Sequence, residues 1–78
     1  MGIKQIPTKK FIKFLKRQGL IYIRSKGDHD LYDRPEKPLP RPITIISSCK
    51  DIPSLHIHTS LKNLGISKAD YEDIIENI

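Results

Sequence analysis

Apolar residues near the start of the chain recur with the period of a helix. Phe11, Phe14 and Leu15 stand at i, i+3 and i+4, a spacing that places their side chains on one face of an α-helix. Thr8 precedes this stripe as a candidate N-cap, and Gly19 follows it as a candidate stop. The pattern therefore predicts a first helix that is capped by Thr8 and ends at Gly19.

The pattern then changes to one that is typical of strands. The run LIYIR is β-branched and aromatic, and the SKGD that follows places Gly27 where a tight hairpin needs a positive φ. The return strand is HDLYDR, whose alternation puts His29 on one face and Asp30 on the other. The segment PEKPLPRP is predicted to be a connection and not a strand, because prolines cannot donate hydrogen bonds to a sheet. A third strand, ITII, follows it.

Two further helices are predicted in the last third of the chain. Ile57, Leu61 and Leu64 form an i, i+4, i+7 stripe that ends at Gly65, and Ser67 is the expected N-cap of a short final helix. The whole order is α-β-β-β-α with an extra C-terminal helix. This order predicts one α+β domain over residues 1–78, a three-stranded antiparallel sheet with the helices on one face and the other face open.

The charges of the chain are unevenly distributed. The net charge is +5, and the first 27 residues hold eight lysine and arginine side chains and no carboxylate. A basic segment of this kind indicates a polyanion partner, although a lysine-rich face that only aids solubility is the simpler alternative. The single cysteine and the lack of a long apolar run predict a cytoplasmic protein with no membrane span and no internal disulfide.

The stretch RSKGDHDLYDRP places His29 between two aspartates, directly after the glycine turn. A ribonuclease that cleaves through the 2′-OH needs a base, and imidazole exchanges protons near neutral pH. Arg24 and Lys26 are candidates to stabilise the charge on phosphorus, and Asp28 or Asp30 is a candidate to orient the imidazole. On pattern alone a solvated hairpin histidine remains the more frequent case.

The HIH motif offers a metal-binding alternative. His56 and His58 stand at i, i+2, a spacing that sends the two side chains to different sides of a helix. Because this segment is predicted to be helical, we expect no metal site and no cofactor there.

The ordered set of motifs resembles the HicA toxins, also called the YcfA-like family. FIKFLKRQGLIYIRSKGDHDLY is similar to the opening of that family: a lysine-rich helix that ends in glycine, a strand, then Gly-x-His with an aromatic residue three positions later. Here those residues are Gly27, His29 and Tyr32. ITI is similar to the third strand and LKNLGIS to the end of the following helix, so the resemblance spans nearly the whole chain.

The resemblance implies a double-stranded-RNA-binding-domain-like fold and a small messenger-RNA interferase. His29 is then the catalytic histidine, Gly27 sets the turn that presents it, and no metal is required. The implied RNA-binding side chains are basic residues of the first helix and first strand: Lys9, Lys13, Lys16, Arg24 and Lys26. The implied partners are messenger RNA and a HicB-type antitoxin of a type II toxin-antitoxin system.

Two hypotheses without catalysis remain open at this point. A non-catalytic RNA-binding module of the same fold would use the lysines of the first helix to contact phosphates. A protein-interaction domain would use the same basic face to bind an acidic partner. The family usually has serine or threonine at the position of Asp28 and often a histidine at that of Asp30, and these two differences keep the first alternative open.

Overall fold

The computed structural model describes residues 3–78 and shows an α+β arrangement. The elements, in chain order, are β1 (Ile6–Pro7), α1 (Thr8–Arg17), β2 (Ile21–Lys26), β3 (His29–Asp33), β4 (Ile43–Ile46), β5 (Asp51–Ile52), α2 (Ser54–Leu64) and α3 (Lys68–Glu76). The three predicted strands form one antiparallel sheet in the order β2-β3-β4. The predicted order of helices and strands is therefore confirmed, with two short strands added.

Helix α1 begins at Thr8 itself, the residue that was predicted to be its N-cap. Pro7 occupies the N-cap position and Thr8 is already helical. The Thr8 hydroxyl donates instead to the Cys49 carbonyl at 2.9 Å, and the Thr8 backbone N–H donates to the Lys50 carbonyl at 2.8 Å. The prediction of Thr8 as N-cap is therefore wrong, because its side chain joins the helix start to a distant loop.

The added strands, β1 and β5, pair with each other in a short second sheet. Ile6 is the partner of Ile52, and Pro7 is the partner of Asp51. The sequence pattern missed this ladder, because SSCKDIP reads as a loop and two-residue strands show no alternation. The ladder fixes the start of α1 beside the segment that leads into α2.

The core lies between one face of the three-stranded sheet and the helices. Tyr32, Ile43 and Ile45 are the buried residues of the sheet, and the register pairs Tyr32 with Ile43 on that face. The helices contribute the other buried side chains of this cluster, among them Phe11, Phe14, Leu15, Ile57, Leu61, Leu64 and Tyr71. The helices therefore cover one face of the sheet, as predicted, and the opposite face stays open.

The predicted ends of the later helices are confirmed. Gly65 follows α2 with a φ of 73°, and the Ser67 hydroxyl accepts a hydrogen bond from the Asp70 backbone N–H at 3.1 Å at the start of α3. Within residues 3–78, none of the helices has the length and apolar character that crossing a bilayer requires.

Candidate nucleic-acid interface on the open sheet face

His29 is the first residue of β3 and lies on the open face of the sheet. The register pairs it with Lys26 of β2 on one side and with Ile46 of β4 on the other. Directly opposed residues of antiparallel strands share a face, with Cβ atoms about 5 Å apart. The His29 side chain is 52% exposed, so the imidazole is accessible to a large ligand.

A two-residue turn presents His29 at the end of the β2–β3 hairpin. The Lys26–His29 pair leaves only Gly27 and Asp28 in the loop. Gly27 has a φ of 65°, and no non-glycine residue in the described part of the chain has a positive φ. A positive φ at the first loop position alone is the pattern of a type II′ turn. The predicted tight turn with a positive φ at Gly27 is therefore confirmed.

Asp28 is fixed by two serines at the end of β4. Its backbone carbonyl accepts hydrogen bonds from the Ser47 backbone N–H at 2.8 Å and from the Ser47 hydroxyl at 3.0 Å. Its Oδ2 accepts a hydrogen bond from the Ser48 hydroxyl at 3.1 Å. The other oxygen, Oδ1, lies 3.5 Å from His29 Nδ1. The turn therefore holds a carboxylate against one nitrogen of the imidazole.

Ser47 and Ser48 are site residues that the sequence pattern did not reveal. They follow β4 directly, and the sequence shows them only as part of a polar loop. Their importance depends on the β3–β4 register, which brings the end of β4 beside the β2–β3 turn. A pair of hydroxyl residues directly after a predicted strand was the one available signal.

Arg24 and Lys26 lie on the same open face as His29. Arg24 is paired with Leu31, two residues along β3 from His29, and both cations are exposed. The register shifts between Tyr22 and Arg24, so Ile23 is an extra residue in β2. This bulge turns Tyr22 to the face on which the helices pack, where it stays half-exposed and its ring lies 6.0 Å from that of Tyr32. The open face thus presents cations and an imidazole, while both tyrosines are behind it.

Asp30 lies on the opposite face of the sheet from His29. Its Oδ1 accepts a 2.6 Å hydrogen bond from the Ser25 hydroxyl, which is also 2.6 Å from the Tyr22 hydroxyl. Burial, followed by the charge of Asp30, raises the pKa of Tyr32 above its usual 10. The two aspartates beside His29 in the sequence are therefore separated by the sheet, and only Asp28 contacts the imidazole.

The predicted lysines of α1 belong to the helical layer. Lys9, Lys13 and Lys16 are exposed, and their i, i+4, i+7 spacing places them on one stripe of the helix, away from the buried Phe11 and Phe14. The helices cover the face opposite His29, and Lys9 lines a cleft with Asp30 and Ser47. Of the predicted RNA-binding residues, the structure therefore places Arg24 and Lys26 on the face of His29, Lys9 in the cleft beside Ser47, and Lys13 and Lys16 in the helical layer.

The two remaining histidines belong to α2. His58 is exposed, and His56 is half-buried with no hydrogen-bond partner for its Nε2 among residues 3–78. The described part of the chain contains no group of three or more His, Cys, Asp or Glu residues that could hold a metal ion.

The comparison with known protein families, curated proteins and solved structures found no match to this chain. The roles that we propose for these side chains therefore depend on the motif residues and on the geometry of the open face.

Proposed function

We propose that the chain is a HicA-like messenger-RNA interferase with a double-stranded-RNA-binding-domain-like fold. In this proposal it is the toxin of a type II toxin-antitoxin pair and acts without a metal. The observation that carries the proposal is the position of His29, which is half-exposed on an open sheet face beside Lys26 and near Arg24.

The chemistry that fits these groups is transfer of the phosphodiester to the neighbouring 2′-OH. His29 removes the 2′-OH proton, the 2′ oxygen forms a bond to phosphorus, and the bond from phosphorus to the 5′ oxygen breaks. The products are a 2′,3′-cyclic phosphate and a 5′ oxygen that takes up a proton from water to become a 5′-OH. Lys26 and Arg24 stabilise the additional negative charge on the phosphate oxygens. Because the attacking group is the 2′-OH, the substrate is RNA and not DNA.

The apolar surface of β2 supports a protein partner beside the RNA site. Ile21, Tyr22 and Ile23 are 49%, 50% and 48% exposed, and β2 is an edge strand of the sheet. Neighbouring exposed apolar side chains are frequent in protein-binding surfaces. In our proposal a HicB-type antitoxin covers this strand and the adjacent face, and so blocks access of RNA to His29.

The first test compares the purified chain with its His29→Ala and His58→Ala variants on a mixed messenger-RNA substrate in EDTA. We expect cleavage by the wild type and by His58→Ala, which removes an exposed histidine of α2, and a loss of at least about 100-fold in His29→Ala. A substrate with 2′-deoxy nucleotides should stay intact. Equal cleavage by the wild type and His29→Ala would refute the proposal.

A non-catalytic RNA-binding module is the second candidate. The observation that favours it is the Asp28 carboxylate, which is 3.5 Å from His29 Nδ1 and opposes the approach of a phosphate. Under this alternative, all three proteins bind RNA with similar affinity and none cleaves it. The same assay therefore separates the two candidates.

A further inference from the structure

We propose that Asp28 is a positioning residue that selects the reacting nitrogen of His29. In this inference, which rests on the proposed nuclease function, Asp28 holds the imidazole proton on Nδ1 and leaves Nε2 free to accept the proton of the 2′-OH. Ser48 fixes Asp28 in the orientation that this role requires.

The hydrogen bonds of Asp28 determine which of its oxygens faces the imidazole. Ser47 binds the Asp28 carbonyl twice, and the Ser48 hydroxyl donates to Oδ2 at 3.1 Å. The other carboxylate oxygen, Oδ1, then faces His29 Nδ1 at a distance of 3.5 Å. Side chains in exposed turns usually sample several rotamers, and these contacts from β4 favour the one in which Oδ1 of Asp28 faces Nδ1 of the ring.

A carboxylate at Nδ1 changes where the single proton of neutral imidazole resides. The hydrogen bond that one ring nitrogen makes decides which nitrogen is protonated, and a carboxylate acceptor places the proton on the nitrogen that it faces. The other nitrogen, Nε2, then carries a lone pair. The Nδ1 side of the ring is occupied by Asp28, so Nε2 is the nitrogen available to RNA on the face that carries Lys26 and Arg24.

The Asp28 carboxylate favours cleavage in this inference, but it weakens the binding of RNA. Its negative charge repels the phosphate that must approach His29, since like charges at short range disfavour association. Loss of Asp28 should therefore strengthen RNA binding and slow cleavage. A residue with only a structural role, or one that only repels RNA, does not combine these two effects.

Asp30 provides a matched control for Asp28. It is the other sequence neighbour of His29 and carries the same charge, but its carboxylate is bound to Ser25 on the opposite face. Asp28→Ala and Asp30→Ala remove equal charge at equal distance in sequence from His29. Ser48→Ala is a third variant, which keeps the Asp28 charge and removes the contact that orients it.

The decisive measurement is the ¹⁵N NMR spectrum of His29 at a pH where the ring is neutral. We expect the proton on Nδ1 in the wild type and in Asp30→Ala. In Asp28→Ala it should move to Nε2, the site that free imidazole side chains prefer, with a smaller movement in Ser48→Ala. An unchanged spectrum in Asp28→Ala and Ser48→Ala would overturn the inference.

Cleavage kinetics provide the second readout. Asp28→Ala should lose about tenfold or more in kcat and have a lower RNA Kd, Ser48→Ala should lose less in kcat, and Asp30→Ala should stay within about twofold of the wild type. Faster cleavage by Asp28→Ala would show that Asp28 only repels RNA and would overturn the inference. If the wild type does not cleave RNA, the nuclease proposal fails, while the spectrum still decides whether Asp28 selects the nitrogen.

Discussion

Tyr71 contributes to the stability of the core through its ring and not through its hydroxyl. Its side chain is 3% exposed, and its ring meets that of Phe14 edge to face with the centroids 5.1 Å apart. The hydroxyl has no hydrogen-bond partner among residues 3–78. Burial, with a smaller effect from Glu72, raises the pKa of Tyr71 to about 12. The ring therefore joins α3 to α1, whereas the hydroxyl contributes only a desolvation cost.

Tyr71→Phe should keep or increase the free energy of unfolding, by up to about 1 kcal/mol, because a buried hydroxyl without a partner is unfavourable. Urea denaturation at neutral pH measures this. Tyr22→Phe is the control, since it removes a hydroxyl that is bonded to Ser25 and should lose up to about 1 kcal/mol. A clear loss in Tyr71→Phe would mean that the hydroxyl has a partner.

The raised pKa of Tyr71 also predicts how stability depends on alkaline pH. The unfolded chain ionises this residue near pH 10, and the folded chain does so only near pH 12. The stability that comes from keeping Tyr71 protonated is fully present below pH 10. It is lost as the pH rises from 10 to the pKa of the folded chain, because ionisation in that window favours the unfolded chain. Tyr71→Phe should show a smaller loss of stability between pH 10 and 12 in urea denaturation series.

At the scale of the elements, the backbone conformation of the β2–β3 hairpin determines where Asp28 and His29 lie. Its turn requires a positive φ at Gly27, and a Cβ built there meets no atom within 4 Å. Gly65, after α2, has the same two properties, with a φ of 73°. The two glycines therefore differ in position and not in local strain, which makes them a matched pair.

Gly27→Ala and Gly65→Ala should each lower the free energy of unfolding by about 1–2 kcal/mol, the cost of a side chain in the left-handed region. Only Gly27→Ala should also slow RNA cleavage, because its turn presents Asp28 and His29. Denaturation and cleavage are measured on the same preparations, at a temperature where both variants are folded. Equal cleavage by the two variants would show that the turn does not control the site.

The elements also show how far sequence patterns can predict this molecule. Helices and strands with clear periods, such as those around Phe14 and Ile45, were predicted because a local pattern encodes their buried face. The glycine turn and the exposure of His29 on its face followed from local rules as well. The Asp28–Ser48 contact and the β1–β5 ladder were not predictable, because each joins residues that are distant in the chain and depends on the register of packed elements.

Over the whole molecule, the positive charge is divided between two layers. Arg24 and Lys26 lie on the open sheet face with His29, and Lys13 and Lys16 of α1 lie in the helical layer. A phosphate at His29 should therefore be bound mainly by the cations of the sheet.

This division predicts a difference between two doubly neutralised variants. Replacing Arg24 and Lys26 by glutamine should reduce the slope of log affinity against log salt by about 1.4, since each lost phosphate contact contributes about 0.7 for single-stranded RNA. Replacing Lys13 and Lys16 by glutamine should reduce it by less than about 0.7. RNA titrations at several salt concentrations measure both slopes. Equal reductions would show that RNA contacts both layers.

The β1–β5 ladder has a consequence for the order in which the chain folds. It joins Ile6 to Ile52, so the intervening segment must close into a loop before the ladder can form, at an entropic cost that contacts along the hairpin do not have. A ladder of two residues on each strand recovers little of that cost by itself. We therefore expect the hairpin to form early and the ladder late, and the amide protons of Thr8 and Ile52 to exchange with solvent before those of β3.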